Sequence, residues 1–177
     1  QWGTSLAFAC AQFDLECEIW QVRASYDAKP SRKIMLETFG GTVHPSPSDL
    51  TEAGRAILAS DPGSNGSLGL AISEAVEVAA QDPNAHYALG SVLNHVLLHQ
   101  TIIGEEALLQ LAKIDETVDL IVGCTGGGSN FGGLTFPFLR EKFAAGGAGP
   151  VIRAVEPASC PSLTQGTYAY DFGDGAG

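Results

Sequence analysis

Small apolar residues fill positions 4–14 (TSLAFACAQFD), with Thr4 or Ser5 placed to cap, and this pattern predicts a buried helix. Residues 18–23 alternate polar and apolar and predict a short strand. Pro30 opens a helical pattern over 31–39, with Ile34, Met35 and Phe39 at helical spacing and Gly40-Gly41 as the stop. Thr42-Val43-His44 predicts a second strand, closed by Pro45 and Pro47. Ser48 or Asp49, with Glu52 behind, predicts a capped helix start. After a loop at 61–66, residues 68–80 predict a helix with Ile72, Val76 and Ala79 on its apolar face. Asp82-Pro-Asn84 is a turn signal. Residues 91–111 then predict one long apolar helix, lined by Val92, Val96, Ile103 and Leu111, with Gly104 a mild weak point.

The third quarter carries the sharpest pattern. Residues 118–124 (VDLIVGC) form a nearly continuous apolar run, as expected of a parallel strand covered on both faces. A glycine-rich loop follows at once. Residues 131–143 read as a helix that Pro137 kinks or shortens, and residues 151–155 as a second buried strand. Strand, loop, helix and strand make a βαβ unit, and the alternation along the whole chain points to an α/β layered fold.

Composition narrows the partners. The 177 residues are 45% hydrophobic and 16% charged, which excludes a disordered chain. A net charge of −11 repels nucleic-acid phosphates and anionic lipid alike, so neither nucleic acid nor membrane is an expected partner. Arg23, Lys29, Arg32 and Lys33 are the local exception and read as a solvated helix face. Cys10, Cys17, Cys124 and Cys160 have no metal-ligand spacing and read as buried free thiols in a reducing cytosol. No long apolar span and no basic leader is visible. The chain opens on Gln1-Trp2-Gly3 and ends in a glycine-rich run, and both ends read as cuts through a longer protein.

Chemistry concentrates at Gly126-Gly127-Gly128-Ser129-Asn130. Three successive glycines let backbone N–H groups turn toward one point with no Cβ atoms in the way. The loop lies between a strand's carboxyl end and a helix start, where free amides and the positive end of the helix dipole meet. Ser129 and Asn130 add side-chain donors, and either is placed to cap the helix. A P-loop would need a lysine here, and the dinucleotide fingerprint needs glycine where Phe131 stands. His95 and His99 have i, i+4 spacing but no HExxH glutamate, so they read as packing histidines rather than a zinc site. Cys124 reads as a packed strand residue rather than a nucleophile. No metal site is expected.

Glycines 126–128 with Ser129 and Asn130, after a V-x-L-I-V-G-C strand, resemble the cofactor-phosphate loop of the tryptophan synthase β-chain family. Gln1-Trp2-Gly3 is similar to the tail of that family's E-T-G-A-G-Q-[HW]-G segment. The second type of β-chain, which works without an α-subunit, is resembled more closely still. The runs that carry this are Lys29-Pro-x-Arg32-Lys-Ile-Met35, Pro45-Ser-Pro-Ser-Asp49, Gly69-x-Ala-Ile-Ser-Glu74-Ala and Ser91-Val-Leu-Asn-His-Val-Leu-Leu-His-Gln100. Ala154-Val-Glu-Pro157 and Tyr170-Asp-Phe-Gly-Asp174 continue it, so the similarity covers essentially the whole chain.

The resemblance implies a fold-type II pyridoxal-phosphate enzyme, α/β, with three layers built from parallel sheets covered by helices on both faces. It implies a pyridoxal 5'-phosphate cofactor and condensation of L-serine with indole to L-tryptophan by β-replacement. Gly126, Gly127, Gly128, Ser129 and Asn130 would hold the cofactor phosphate. Gln1, Trp2 and Gly3 would end the loop that grips the substrate carboxylate. Residues 1–112 would belong to the N-terminal domain with its mobile closing part, and 113–177 to the phosphate-binding α/β domain. A cytoplasmic homodimer with no α-subunit is the implied setting.

The departures are equally informative. The family's Schiff-base lysine lies in a His-Lys-x-Asn segment, and none of Lys29, Lys33, Lys113 and Lys142 follows a histidine. The acid–base glutamate of that family precedes the position of Gln1, and the serine at the pyridine nitrogen would follow Gly177. No catalytic residue is therefore expected in this chain, and on its own it is expected to be inactive. Two other readings stand beside this one: a sister fold-type II enzyme of serine or threonine β-elimination, against which residues 91–100 argue, and a non-catalytic domain binding a phosphorylated metabolite.

Overall fold

A computed structural model describes residues 2–168, and these divide into two compact units, Trp2–Tyr87 and Ala88–Tyr168. Gln1 and the Tyr170–Asp174 run lie outside the described residues. The division falls 25 residues before the 112/113 boundary drawn from the sequence, because the helices between these points belong to the second unit.

In the first unit, α1 (Trp2–Gln12) leads into β1 (Glu18–Val22), followed by α2 (Arg23–Ala28), α3 (Pro30–Thr38) and β2 (Thr42–Ser46). Helix α1 starts at Trp2, ahead of the expected Thr4 or Ser5 cap, and α2 was not legible in the sequence. Strands β1 and β2 pair in parallel, Glu18 opposite Thr42 through Val22 opposite Ser46. Ala7, Cys17, Leu36 and Val43 form the buried core, with Leu6, Cys10, Ile19, Tyr26 and Phe39 packed around them. On α3 the buried residue is Leu36, whereas Ile34 and Met35 are exposed, which corrects the face expected from helical spacing. The basic stretch is held locally: the Lys33 ammonium lies 5.4 Å from the centre of the Tyr26 ring and 3.7 Å from Glu37, and Arg23 donates to the Pro47 carbonyl.

Helices α4 (Glu52–Ser60) and α5 (Leu68–Gln81) complete this unit. The cap of α4 is Thr51, not Ser48 or Asp49: its hydroxyl accepts the Gly54 amide at 3.0 Å. The two preceding orphan amides go to a neighbouring helix, since the Glu77 carboxylate of α5 accepts from Glu52 N (2.7 Å) and Ala53 N (3.1 Å). One turn earlier, Glu74 is fully buried, and its Oε1 accepts from Ser48 N (2.9 Å), Ser48 Oγ (2.5 Å) and Thr51 Oγ1 (2.8 Å). The buried face of α5 is thus Gly69, Leu70, Ala71 and Glu74, while Val76 is exposed; the expected apolar face was displaced by donors awaiting a carboxyl group.

Those amide bonds, with a smaller attraction from Arg55, hold the Glu77 carboxyl below its ordinary range. A depressed folded value stabilises the fold above the unfolded carboxylate pKa of about 4.3 and loses that contribution as pH falls through the folded value. The stability gap between the wild type and Glu77→Gln is therefore expected at neutral pH. It should close on acidification below about pH 4 in denaturant titrations. A gap that persists unchanged in acid would refute the assignment.

In the second unit, α6 (Asn94–Gln100) and α7 (Ile102–Lys113) replace the single long helix expected over 91–111. The break is at Thr101, whose amide and hydroxyl both donate to the Leu98 carbonyl. Strand β3 (Leu120–Cys124), α8 (Ser129–Ala144) and β4 (Val151–Val155) follow, with β3 and β4 parallel from Leu120 opposite Val151 to Cys124 opposite Val155. This is the expected βαβ unit. Pro137 lies inside α8 and does not shorten it, and Gly104 has a packing role: a Cβ there would sit 2.5 Å from the Leu134 carbonyl and 2.7 Å from the Pro137 ring. Glycine at 104 lets α7 and α8 cross in contact. Burial along β3 alternates, with Ile121 and Gly123 inside, Gly123 against Phe131, and Leu120 and Val122 exposed, so coverage of both faces is not found among the described residues.

Candidate functional site

The loop at 125–128 leaves the end of β3 as the ladder runs out. Thr125 N donates to the Val155 carbonyl at 2.8 Å, one step past the last strand pair, and the chain then turns into α8 through Gly128, whose φ is 105°. That left-handed value is one a side chain rarely tolerates. Among the described residues, the amides of Gly126, Gly127 and Gly128 find no hydrogen-bond acceptor, so they remain available at the positive end of a 16-residue helix. The hydroxyl of Thr125, at the mouth of the loop, is likewise buried without a partner.

The glycines differ in purpose. A Cβ on Gly127 would lie 2.7 Å from Ser91 Cβ, Ser91 Oγ and Val92 Cγ1, so the protein itself demands glycine there. Gly126 has nothing within 4 Å of the same point. Packing among the described residues gives no reason for its missing side chain.

Ser129 and Asn130 are committed locally and neither caps α8. Ser129 is buried; its amide donates to the Ser91 carbonyl at 3.1 Å and its Oγ lies 3.1 Å from Ser91 Oγ. Asn130 Nδ2 spans the loop to donate to the Cys124 carbonyl at 3.0 Å, tying the helix start to the strand end. Ser91 is the residue that sequence reasoning missed. It adopts a φ of 64° and forms the second wall of the loop, although it was assigned to a helix. Gly90-Ser91 was the available signal, since such pairs mark turns rather than helix starts.

The remaining candidates separate clearly. Trp2 and Gly3 open α1 in the first unit, Trp2 exposed and Gly3 against Ile19, while Gln1 lies outside the described residues. His95 and His99 are both exposed, not packed, with ring centres 6.5 Å apart, and among the described residues no group of three metal-type side chains assembles. Cys124 and Cys160 are exposed and Cys10 is half-buried, so only Cys17 fits the buried thiol expected for all four. Glu156, after β4, accepts from Leu163 N, Thr164 N and Thr164 Oγ1, and those bonds, the Leu163 amide first, lower its pKa. It closes its own loop. No helix among the described residues is long and apolar enough to cross a membrane.

Free amides, an open glycine and a helix start, all at the carboxyl end of a parallel strand, form an arrangement able to hold an anion. The chain matches the family described as pyridoxal-phosphate dependent enzymes over residues 1–171, and it belongs to that family. Its relatives are more particular. It is 58% identical over 179 residues to tryptophan synthase beta chain 2 of Thermotoga maritima, covering 100% of this chain and 42% of that one. The corresponding protein of Methanothermobacter thermautotrophicus is 55% identical (100% and 41% covered), and that of Methanosarcina acetivorans 53% identical (99% and 40%). The chain thus spans about two-fifths of the length of the curated relatives it matches.

The family's cofactor, pyridoxal phosphate, carries a phosphate dianion. The cradle fits it: orphan N–H groups, an unhindered Gly126, and no acidic side chain among the loop residues 125–130.

Proposed function

We propose that this chain is the phosphate-holding part of a tryptophan synthase β-type enzyme that condenses L-serine with indole to L-tryptophan. The observation that carries the reading is the cradle itself, three orphan amides at the start of α8 with an open Gly126, in a chain similar end to end to such enzymes. When bound, pyridoxal phosphate supplies the electron sink for β-replacement. The amides of Gly126, Gly127, Gly128 and Asn130 bind its phosphate, and the α8 dipole favours that charge. Ser129 and Ser91 hold the wall behind Gly127, and the Asn130 side chain fixes the loop's span.

Gln1, Trp2 and Gly3 take the end of the carboxylate-gripping loop. Residues 1–112 contribute to the N-terminal domain and the part that closes over substrate and excludes water, and residues 113–177 to the phosphate-binding domain. None of the chain's lysines follows a histidine, and it supplies no catalytic residue. The full-length enzyme acts in the cytoplasm as a homodimer without an α-subunit.

Incubating the full-length protein with pyridoxal phosphate, serine and indole is expected to give tryptophan. Cofactor absorbance without tryptophan would point instead to β-elimination chemistry, and no cofactor absorbance at all would sink both enzyme readings.

A further inference from the structure

A tight reversal brings Cys10 and Cys17 together. Cys10 lies near the end of α1, and its carbonyl accepts the amides of both Phe13 (3.1 Å) and Leu15 (3.0 Å). Asp14, between them, takes a left-handed φ of 55°. The chain therefore doubles back, and Cys17 enters the core cluster against which Cys10 packs. Past Cys17 the path is fixed, because its carbonyl accepts the Thr42 amide at 2.9 Å ahead of the β1–β2 ladder.

Burial first, then the neighbouring Cys10, pushes the Cys17 thiol up to about 11. Their exposures differ: Cys10 is half-buried, whereas Cys17 is 8% exposed.

We propose that Cys10 and Cys17 are a modification site, a dithiol that peroxide converts to a reversible intramolecular disulfide. Cys10 sulfur attacks the peroxide; an S–O bond forms, the O–O bond breaks, and the departing hydroxide leaves as water with the thiol proton. Cys17 sulfur then attacks Cys10 sulfur; the S–S bond forms, the S–O bond breaks, and the second hydroxide leaves as water with the Cys17 proton. Two thiols and one hydrogen peroxide give one disulfide and two waters, with each sulfur losing one electron and the peroxide gaining both. A small dithiol reductant reverses it. The bond pins the end of α1 to the start of β1. The beginning of α1 is already seated on that strand, where a Cβ on Gly3 would lie 3.2 Å from Ile19 Cγ2.

The test uses the full-length protein, treated with hydrogen peroxide while native, blocked with N-ethylmaleimide and cut with a glutamate-specific protease. Glu16 stands between the two cysteines, so cleavage there leaves their peptides joined only through sulfur. The expected product is the linked pair, lighter than the two peptides by the two thiol hydrogens and lost on adding dithiothreitol. In Cys10→Ser it disappears, and Cys17 is recovered as an intact thiol after unfolding. Cys10 recovered as sulfinic or sulfonic acid beside a free Cys17 would overturn the proposal. So would Cys17 oxidising equally fast in Cys10→Ser. Should Cys10→Ser fold poorly, the wild-type peptide pair decides by itself.

Discussion

Replacing Glu74 by alanine is expected to destabilise the Trp2–Tyr87 unit by roughly 3–5 kcal/mol, among the larger losses for a single substitution. Three donors converge on one oxygen, Ser48 N, Ser48 Oγ and Thr51 Oγ1, and all three groups are buried. Each buried donor left without an acceptor costs about 1–3 kcal/mol, and removing a fully buried side chain adds a cavity. Neighbouring losses in one network do not simply add, which keeps the expectation below the sum. Thr51 has a second duty as cap of α4, so the damage spreads from the loop at 46–51 into that helix. Glu74→Gln retains an acceptor of the same shape and should cost less than half as much. Urea unfolding read by circular dichroism distinguishes the two. An alanine variant within about 1 kcal/mol of wild type would refute the network as a determinant of this unit's stability.

Glu74 also marks where sequence reading stopped. Strand and helix existence was legible at residues 18–23, 42–44, 118–124 and 151–155, because alternation, apolar runs and glycine or proline stops are local signals. Buried faces were less so. Helical spacing selected Ile34 and Met35 on α3, and Ile72 and Val76 on α5, yet Leu36 is buried on α3, and Glu74 with Gly69, Leu70 and Ala71 on α5. What decides is the partner surface: Leu36 meets Ala7, Cys17 and Val43, and Glu74 meets hydroxyls more than twenty positions away. A one-dimensional pattern holds no record of such a partner. The break at Thr101 failed for a related reason, since a threonine hydroxyl competing for a backbone carbonyl leaves no periodicity to read.

The loop at 126–130 was legible as a glycine turn from strand to helix because glycine is informative wherever it recurs, but its second wall was not. Ser91 sits 38 positions before Ser129, and only the fold joins their hydroxyls. The same holds for Asn130, which sequence reading aimed at a ligand or a cap and which the structure ties to Cys124.

This geometry separates two glycines that the sequence presents as equals, and alanine at each is expected to act differently. Gly127→Ala places a methyl 2.7 Å from Ser91 and Val92, so the wall must move, at a cost of about 1–3 kcal/mol to the fold. Because that wall holds Ser129 through two bonds, cofactor affinity should fall with it. Gly126→Ala meets nothing within 4 Å and should leave stability within about 0.5 kcal/mol of wild type. Its methyl nonetheless occupies the open side toward which an oxyanion would come. There it should weaken pyridoxal phosphate binding by at least about tenfold, the equivalent of 1.4 kcal/mol. Cofactor titration of the full-length protein, paired with thermal unfolding of each variant without cofactor, reads both quantities. Should Gly126→Ala bind pyridoxal phosphate as tightly as wild type, the phosphate does not approach this face of the loop. A stable Gly126→Ala that has lost the cofactor would assign the glycine to the ligand and not to the fold, a distinction that Gly127 cannot make.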